Sequence, residues 1–251
     1  MIDLRGRRAL VTGGSRGIGA ATARLLARAG ASVMVGYRSR ARDADAVVSE
    51  LASHGVTAAS HAADLSTRDG ADALVAATVG TLGGLDLFVG NAGIWPEAEV
   101  PVSAMDDERW LRTMRENVDS IFYTTRAVAR VIADHGRIVL ISSTAGQRGE
   151  AMHADYGASK GAVISFTKSL AVELAPRDVT VNSVAPGWVD TEMVAGALDT
   201  AARVRANAGI PLGRIATADD IAGPVVFLCS DLARHITGEI LNVNGGSVLC
   251  G

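Results

Sequence analysis

Two side chains that can exchange protons stand four residues apart near the start of one helical pattern. Tyr156 and Lys160 belong to the segment "DYGASKGAVISF". Four residues along a helix turn through about 400° and rise about 6 Å, so both side chains share one face. We expect the ammonium to favour the phenolate and to lower a phenol pKa that is ordinarily about 10. The pair would then donate a proton to a carbonyl oxygen or accept one from an alcohol. An ordinary helix-surface pair is the alternative, because this spacing alone is common.

Hydroxyl groups close an apolar segment upstream of this pair. Ser142 and Ser143 follow the strand pattern "GRIVLI". In an open parallel sheet, ligands bind at the carboxyl ends of the strands. We therefore expect Ser143 and Tyr156 to meet at one sheet edge, where a substrate oxygen would contact both.

A glycine-rich turn follows the first predicted strand directly. Gly13, Gly17 and Gly19 have the spacing G-x-x-x-G-x-G, and a helix pattern begins at once. Glycines let backbone N–H groups approach a pyrophosphate closely, and the helix N-terminus adds a partial positive charge. A tight turn without a ligand is the alternative. The position between the first strand and the first helix favours a dinucleotide site.

The end of the second strand indicates which dinucleotide binds. An acidic residue there would accept hydrogen bonds from the adenosine 2′-hydroxyl. This chain instead has Arg38 in "GYRSR", and Arg16 in the glycine turn points to the same place. Two guanidinium groups suit a 2′-phosphate, so we expect NADP(H), with NAD(H) as the alternative if both arginines are solvated. Asp64, after the third strand, is placed either to accept from the adenine amino group or to cap a turn.

Apolar segments rich in β-branched residues alternate with alanine-rich helical patterns along the chain. This alternation predicts an α/β fold: a single-domain, Rossmann-like, doubly wound parallel sheet of about seven strands, with helices on both faces, over 1–251. The third strand is predicted only because the alternation requires one there. Strands are predicted at 8–12, 32–36, 57–62, 85–90, 136–142, 179–185 and 239–245, and helices at 17–29, 41–54, 67–82, 106–132, 156–175 and 217–230.

One long segment, 186–216, lacks clear periodicity. Loops of this length in compact domains are usually functional lids or disordered segments. We therefore expect residues 188–212 to form a substrate loop within the single domain.

Composition argues against several classes of protein. The 251 residues are 48% hydrophobic and 20% charged, with a formal net charge of −3. No patch of Lys and Arg dominates, so we expect no nucleic acid partner. No apolar run is long enough to cross a bilayer, and the N-terminus lacks a signal-peptide pattern, so a cytoplasmic protein without a membrane partner is expected. Cys229 and Cys250 are too far apart to suggest a disulfide framework or a metal site.

Taken together in order, these motifs resemble those of the short-chain dehydrogenase/reductase family, from the first strand to the last. Gly90 stands where the family often has an Asn. In overall character the chain is most similar to the 3-oxoacyl-[acyl-carrier-protein] reductase-like members, which use NADPH. The matching residues are Thr12, Gly13, Gly17, Gly19, Asn91, Ala92, Gly93, Asn117, Ser143, Tyr156, Lys160, Pro186 and Gly187.

The resemblance implies a role for each catalytic group. Tyr156 would be the general acid/base, and Ser143 would hydrogen-bond and polarise the substrate carbonyl. Lys160 would lower the pKa of Tyr156 and hold the nicotinamide ribose hydroxyls. Asn117 would order a water that relays protons to Lys160. The expected cofactor-binding residues are Gly13, Ser15, Arg16, Gly17, Ile18, Gly19, Tyr37, Arg38, Asp64, Leu65, Asn91, Ala92, Gly93, Tyr156, Lys160, Pro186, Gly187, Val189 and Thr191.

The substrate is less constrained, because one fold hosts many activities. The resemblance implies a 3-oxoacyl thioester, on a carrier protein or CoA, or a related ketone, and a homotetramer paired through the helices at 106–132 and 156–175. The alternatives are an NAD-linked dehydrogenase of a sugar, polyol or steroid alcohol, and a nucleotide-sensing module without catalysis. The last is disfavoured because the whole catalytic set is present. Expected substrate contacts are Ser143, Tyr156, Trp95, Gln147, His153 and Trp188.

Overall fold

Seven parallel strands form one sheet at the centre of the molecule. The computed structural model describes residues 2–249. The strands lie in the order β3-β2-β1-β4-β5-β6-β7, so the chain reverses its direction of winding between β1 and β4. The strands are β1 (Arg8–Thr12), β2 (Ser32–Tyr37), β3 (Ala58–Ala62), β4 (Leu87–Gly90), β5 (Arg137–Ile141), β6 (Thr180–Pro186) and β7 (Ile240–Val243).

Helices cover both faces of this sheet, as the alternation of elements predicts. Helices α1, α2 and α9 pack on one face, and α3, α5 and α7 pack on the other. The helices are α1 (Gly17–Arg28), α2 (Ala41–Ala52), α3 (Arg68–Leu82), α4 (Asp107–Met114), α5 (Ser120–Val131), α6 (Thr144–Arg148), α7 (Ala154–Leu174), α8 (Thr200–Ala208) and α9 (Ala218–Leu228).

The central strands are apolar on both sides because both sides are buried. In β1, Ala9 and Val11 face the core beneath α1 and α9, whereas Leu10 faces the core beneath α3 and α5. This follows from the two-residue period of a strand. The polar-looking β3 is an edge strand, and its side chains are only partly buried. The doubly wound Rossmann-like fold is therefore confirmed.

The structure departs from the expected helices in three places. The single helix predicted at 106–132 is divided by a π-helical turn, Arg115–Asp119, which lies between α4 and α5. The short helix α6 was not predicted, and α8 lies inside the segment expected to be a loop. Around α8, a small separate core of Leu198, Ile210 and Ile215 packs against Trp188. The segment is therefore a folded flap with its own apolar centre.

Two findings bear on the classes considered above. Within residues 2–249, no helix is both long and apolar enough to span a membrane. In the same part of the chain, no cluster of three or more His, Cys, Asp or Glu side chains has metal-binding geometry. Cys229 is buried as a free thiol, and Cys250 lies outside the described residues.

Candidate active site

Three reactive side chains meet where β5 ends and α7 begins. Tyr156 and Lys160 lie on the first turns of α7, and the Lys160 Nζ is 5.7 Å from the centre of the Tyr156 ring. Ser143 is the N-cap of α6, where its hydroxyl accepts a hydrogen bond of 3.1 Å from the Ala145 N–H. Tyr156 is also hydrogen-bonded to Ser143. The structure thus brings together the three groups that the sequence pattern selects.

Burial sets the acidity of the two titrating groups. It raises the pKa of Tyr156 to about 12, while the Ser143 hydrogen bond lowers it and the Glu150 carboxylate raises it further. Burial also lowers the pKa of Lys160 to about 8. The ammonium donates to the Ile141 carbonyl oxygen at 3.0 Å, and within residues 2–249 it forms no ion pair. For the protein groups taken alone, the pKa of Tyr156 is therefore raised, and the expectation that Lys160 lowers it stays a prediction. Desolvation of the phenolate outweighs an ammonium 5.7 Å from the ring.

Asn117 lies in the π-helical turn and is fully buried. Its amide nitrogen donates to the Ile94 carbonyl at 2.9 Å and to the Ser159 hydroxyl at 3.0 Å, while its Oδ1 accepts from the Ile94 N–H at 2.7 Å. The side chain therefore ties the segment after β4 to α7. Its position beside the site agrees with the sequence analysis, whereas a proton relay through water stays a prediction.

The glycine turn between β1 and α1 forms a tightly packed cradle. A Cβ on Gly19 would lie 2.3 Å from the Gly13 carbonyl oxygen, and Gly13 has a φ of +61°. The Asn91 amide holds the turn from the other side by donating to the carbonyl oxygens of Thr12 and Gly13 at 3.0 and 3.2 Å. The N-cap residue of α1, Arg16, makes no side-chain capping hydrogen bond, so the first N–H groups of the helix are available to an anion. The cradle fits a pyrophosphate.

The cradle opens into a cleft of about 240 Å³ at the carboxyl edge of β1, β2 and β4. Gly19, which packs on Gly13, does not line this cleft or the one described below. Pro186, Gly187 and Val189 line the adjoining cleft, which shares Ile18, Asn91, Gly93 and Thr191 with the first. The predicted cofactor residues that line the first cleft are Gly13, Ser15, Arg16, Gly17, Ile18, Tyr37, Arg38, Asp64, Leu65, Asn91, Ala92, Gly93 and Thr191.

Both predicted arginines line the first cleft, and both are ion-paired. The Arg38 Nη1 donates to both carboxylate oxygens of Glu116, at 2.5 and 2.6 Å. Arg16 donates to Glu192 at 2.7 Å. A third arginine, Arg40, lies 3.2 Å from the same Glu192 carboxylate oxygen and also lines the cleft. Three guanidinium groups therefore line one end of the first cleft.

Asp64 lines the same cleft and also holds a turn. Its Oδ1 accepts from the Ser66 N–H at 3.0 Å and from the Ser66 hydroxyl at 2.7 Å, and these bonds help to lower the pKa of the carboxyl. The turn-capping alternative is therefore realised, and a contact with adenine stays a prediction.

The adjoining cleft has a volume of about 420 Å³ and contains Ser143, Tyr156 and Lys160. Trp95 and Trp188 line it with a T-shaped contact, their ring centres 5.9 Å apart. Its apolar wall comes from the flap around α8. The apolar flap residues in this wall are Met193, Val194, Ala206 and Ile210.

Two residues expected to contact the substrate do not line this cleft. His153 is 3% exposed and lies behind Trp95, with the rings stacked at 4.8 Å, and it does not line the cleft. Gln147 lies on α6, which was not predicted, and it also does not line the cleft. The cleft receives Arg148 and Glu150 instead, because the turn of α6 changes which side chains of 147–150 reach it.

The family is decided by comparison of the whole chain. A family model described as enoyl-(acyl carrier protein) reductase matches residues 13–247. The chain is 41% identical to a 3-oxoacyl-[acyl-carrier-protein] reductase of Vibrio cholerae over 98% of each chain. The chain belongs to the short-chain dehydrogenase/reductase family. It is accordingly an oxidoreductase acting on CH–OH and C=O groups.

Other short-chain dehydrogenases/reductases are similarly close. The chain is 38% identical to an L-rhamnose 1-dehydrogenase (NAD(P)(+)) of Azotobacter vinelandii over 94% of each chain. It superposes with a TM-score of 0.91 on a short-chain dehydrogenase of Burkholderia cenocepacia in complex with NADP, which is 36% identical, covering 97% of this chain and 98% of that one. The family and the fold are shared by these relatives, whereas their substrates differ.

In the second cleft, Glu150 accepts from the Trp95 indole N–H at 3.3 Å. Two acidic residues of the first cleft escaped the sequence analysis: Glu116 and Glu192, which neutralise its arginines. Arg40 was missed as well, although it follows Arg38 by two residues and its sequence position was a usable signal. The glutamates gave no such signal, because each comes from a segment distant in sequence from its partner.

Proposed function

We propose that this reductase uses NADPH to reduce a 3-oxoacyl thioester or a closely related ketone. The observation that carries the cofactor assignment is the cluster of Arg16, Arg38 and Arg40 beyond the end of β2, where no acidic side chain follows the strand. Guanidinium groups bind phosphate oxygens through charge-assisted bonds. The solved relative with bound NADP supports the same assignment.

The geometry accounts for a proton-donating site. A bound reduced nicotinamide supplies the hydride. With a pKa of about 12, Tyr156 stays protonated at neutral pH and is ready to donate to a carbonyl oxygen. Ser143, hydrogen-bonded to Tyr156, holds the same oxygen and stabilises negative charge on it. Lys160 would hold the ribose hydroxyls, and the wall of the flap excludes water.

The substrate assignment rests on the relatives and on the shape of the second cleft. A 3-oxoacyl thioester carries a neutral, apolar chain next to the reacting carbonyl, and Trp95, Trp188 and Val194 supply apolar surface of that kind. Arg148 and Arg205 line the same cleft, are exposed and have no ion pair in the described chain. Cations at this place suit a phosphate further along the thioester arm.

The test is a matched substrate panel. Acetoacetyl-CoA with NADPH is compared with L-rhamnose and ribitol with NAD(P)+, using the wild-type enzyme and Tyr156→Phe as the blank. We expect kcat/KM for the thioester to exceed those for the polyols by at least about 100-fold, since productive binding of the whole substrate contributes to the transition state. Higher kcat/KM for a polyol would overturn the assignment.

One observation favours a second candidate, a sugar or polyol dehydrogenase. The Glu150 carboxylate lies in the substrate cleft, and carboxylates accept hydrogen bonds from sugar hydroxyls. The rhamnose dehydrogenase relative is consistent with this chemistry. The same panel separates the two candidates, because Glu150→Gln would raise KM for the polyols by removing an acceptor for their hydroxyls and would leave KM for the thioester unchanged.

We also propose a homotetramer. Helices α5 and α7 present Phe122, Val131 and Val172 to solvent, with Val172 77% exposed. The rings of Phe122 and Phe166 contact each other at 6.4 Å, so the two helices form one continuous apolar surface. Multi-angle light scattering tests the proposal, and a monomer of 25.8 kDa would contradict it.

A further inference from the structure

Glu192 is ion-paired with two of the guanidinium groups that are expected to bind a cofactor phosphate. Its Oε2 is 2.7 Å from Arg16 and 3.2 Å from Arg40, and all three side chains line the first cleft. These side chains are between 41% and 57% exposed, so a solute anion can reach them. A carboxylate held by two arginines uses the same N–H donors that a phosphate in that place would need.

Glu192 also belongs to the segment that joins the two clefts. Its neighbours Thr191 and Met193 line both of them. Val194, which follows Met193, packs against the small core of the flap. Main-chain bonds from Val194 and Leu198 back to Thr191 and Val194 make this stretch a compact turn. Glu192 is therefore continuous in the chain with residues that form the wall of the substrate cleft.

We propose that Glu192 is a cofactor-specificity residue that competes with the 2′-phosphate of NADP(H) for Arg16 and Arg40, and that its displacement releases the turn at 191–198. The inference rests on the proposed NADP(H) function of this cleft. A ligand without a 2′-phosphate leaves the ion pairs of Glu192 in place. The turn at 191–198 would therefore be released by NADP(H) and not by NAD(H).

Two small probes isolate the contribution of the 2′-phosphate to binding. Adenosine 2′,5′-bisphosphate and adenosine 5′-monophosphate differ only in that group, and calorimetry gives the Kd of each. Glu192→Gln keeps the size of the side chain and removes its charge. The matched control is Glu50→Gln, because Glu50 forms an equally exposed 2.7 Å pair with Arg24 away from both clefts.

We expect Glu192→Gln to increase the preference for the bisphosphate by about three- to tenfold, the range for losing one or two exposed ion pairs. Glu50→Gln should leave the preference unchanged. In the wild type, the bisphosphate should also speed amide hydrogen exchange at 194–198, and the monophosphate should not. In Glu192→Gln, exchange there should already be fast without either probe.

The outcomes separate this inference from the proposed function. If the wild type prefers the bisphosphate but Glu192→Gln changes neither the preference nor the exchange, the role of Glu192 is refuted and the NADP(H) assignment stands. If neither protein distinguishes the probes, both are refuted. If only Glu192→Gln prefers the bisphosphate, the competition is supported and the NADP(H) preference of the wild type is refuted.

Discussion

We expect the buried ammonium of Lys160 to destabilise the folded protein at neutral pH. The ammonium is 6% exposed and donates one described hydrogen bond, to the Ile141 carbonyl. Burial lowers its pKa from 10.5 to about 8. Because the unfolded chain holds this proton more tightly than the folded chain, keeping Lys160 charged at pH 7 costs about 3 kcal/mol of folding free energy. Lys160→Met removes that penalty and leaves the Ile141 carbonyl without its donor, at a cost of about 1 kcal/mol.

The expected result is a variant about 2 kcal/mol more stable than the wild type at pH 7, the difference of those two values. The sign depends on pH. Between the folded pKa and the unfolded pKa the unfolded state binds more protons, so the wild type gains stability as pH rises from about 8 to 10.5. The difference in unfolding free energy between Lys160→Met and the wild type should therefore shrink by about 2 kcal/mol between pH 7 and pH 9.5.

Urea unfolding of both proteins at equal concentration measures this difference. The matched control is Lys168→Met, because Lys168 is exposed on the same helix. The chain contains only these two lysines. Labelling with ¹³C-lysine therefore gives two side-chain signals, and their titration reads the pKa of Lys160 directly. A stability gap that does not change with pH, or a Lys160 signal that titrates with that of Lys168, would refute the reasoning.

Three further predictions concern catalysis and cofactor binding. Tyr156→Phe should lower kcat by about 10²- to 10⁴-fold, the usual contribution of a general acid, with NADPH affinity by fluorescence unchanged; wild-type turnover would contradict the assignment. Arg38→Gln should weaken NADPH binding by about tenfold and spare NADH, because one bidentate phosphate contact is lost; equal losses would contradict the phosphate contact. Glu150→Gln should lower the pKa of Tyr156 and move the rising limb of the pH profile of alcohol oxidation to lower pH, whereas exposed Glu99→Gln should not. An unmoved limb would exclude electrostatic coupling between Glu150 and Tyr156.

Most of the fold could be predicted because its signals are local. Central strands such as β5 read as continuous apolar runs, and the glycines before α1 mark the turn. The weak β3 was predicted only from the alternation of elements, and it is confirmed as an edge strand. The π-helical turn at Arg115–Asp119 was missed because a single wide turn does not interrupt helical periodicity visibly. The helix α6 is only five residues long, too short to produce a periodic pattern.

The catalytic cluster could also be predicted, because Tyr156 and Lys160 share one helix face and Ser143 ends a strand. The acidity of the cluster could not, since desolvation depends on everything packed around it. The charge balance of the cofactor cleft was missed for a related reason. Glu192 reaches Arg16 across 176 residues of chain, and no local pattern encodes such a pair.

The central claim is that the arginine cluster makes this enzyme an NADPH-dependent reductase. Its most direct test is the separate titration of the wild-type enzyme with NADPH and with NADH, following nicotinamide fluorescence. We predict that NADPH binds at least about tenfold more tightly than NADH, as expected for a phosphate held by charge-assisted bonds. Equal binding, or tighter binding of NADH, would mean that the carboxylates of Glu116 and Glu192 keep these guanidinium groups from the cofactor, and would contradict the claim.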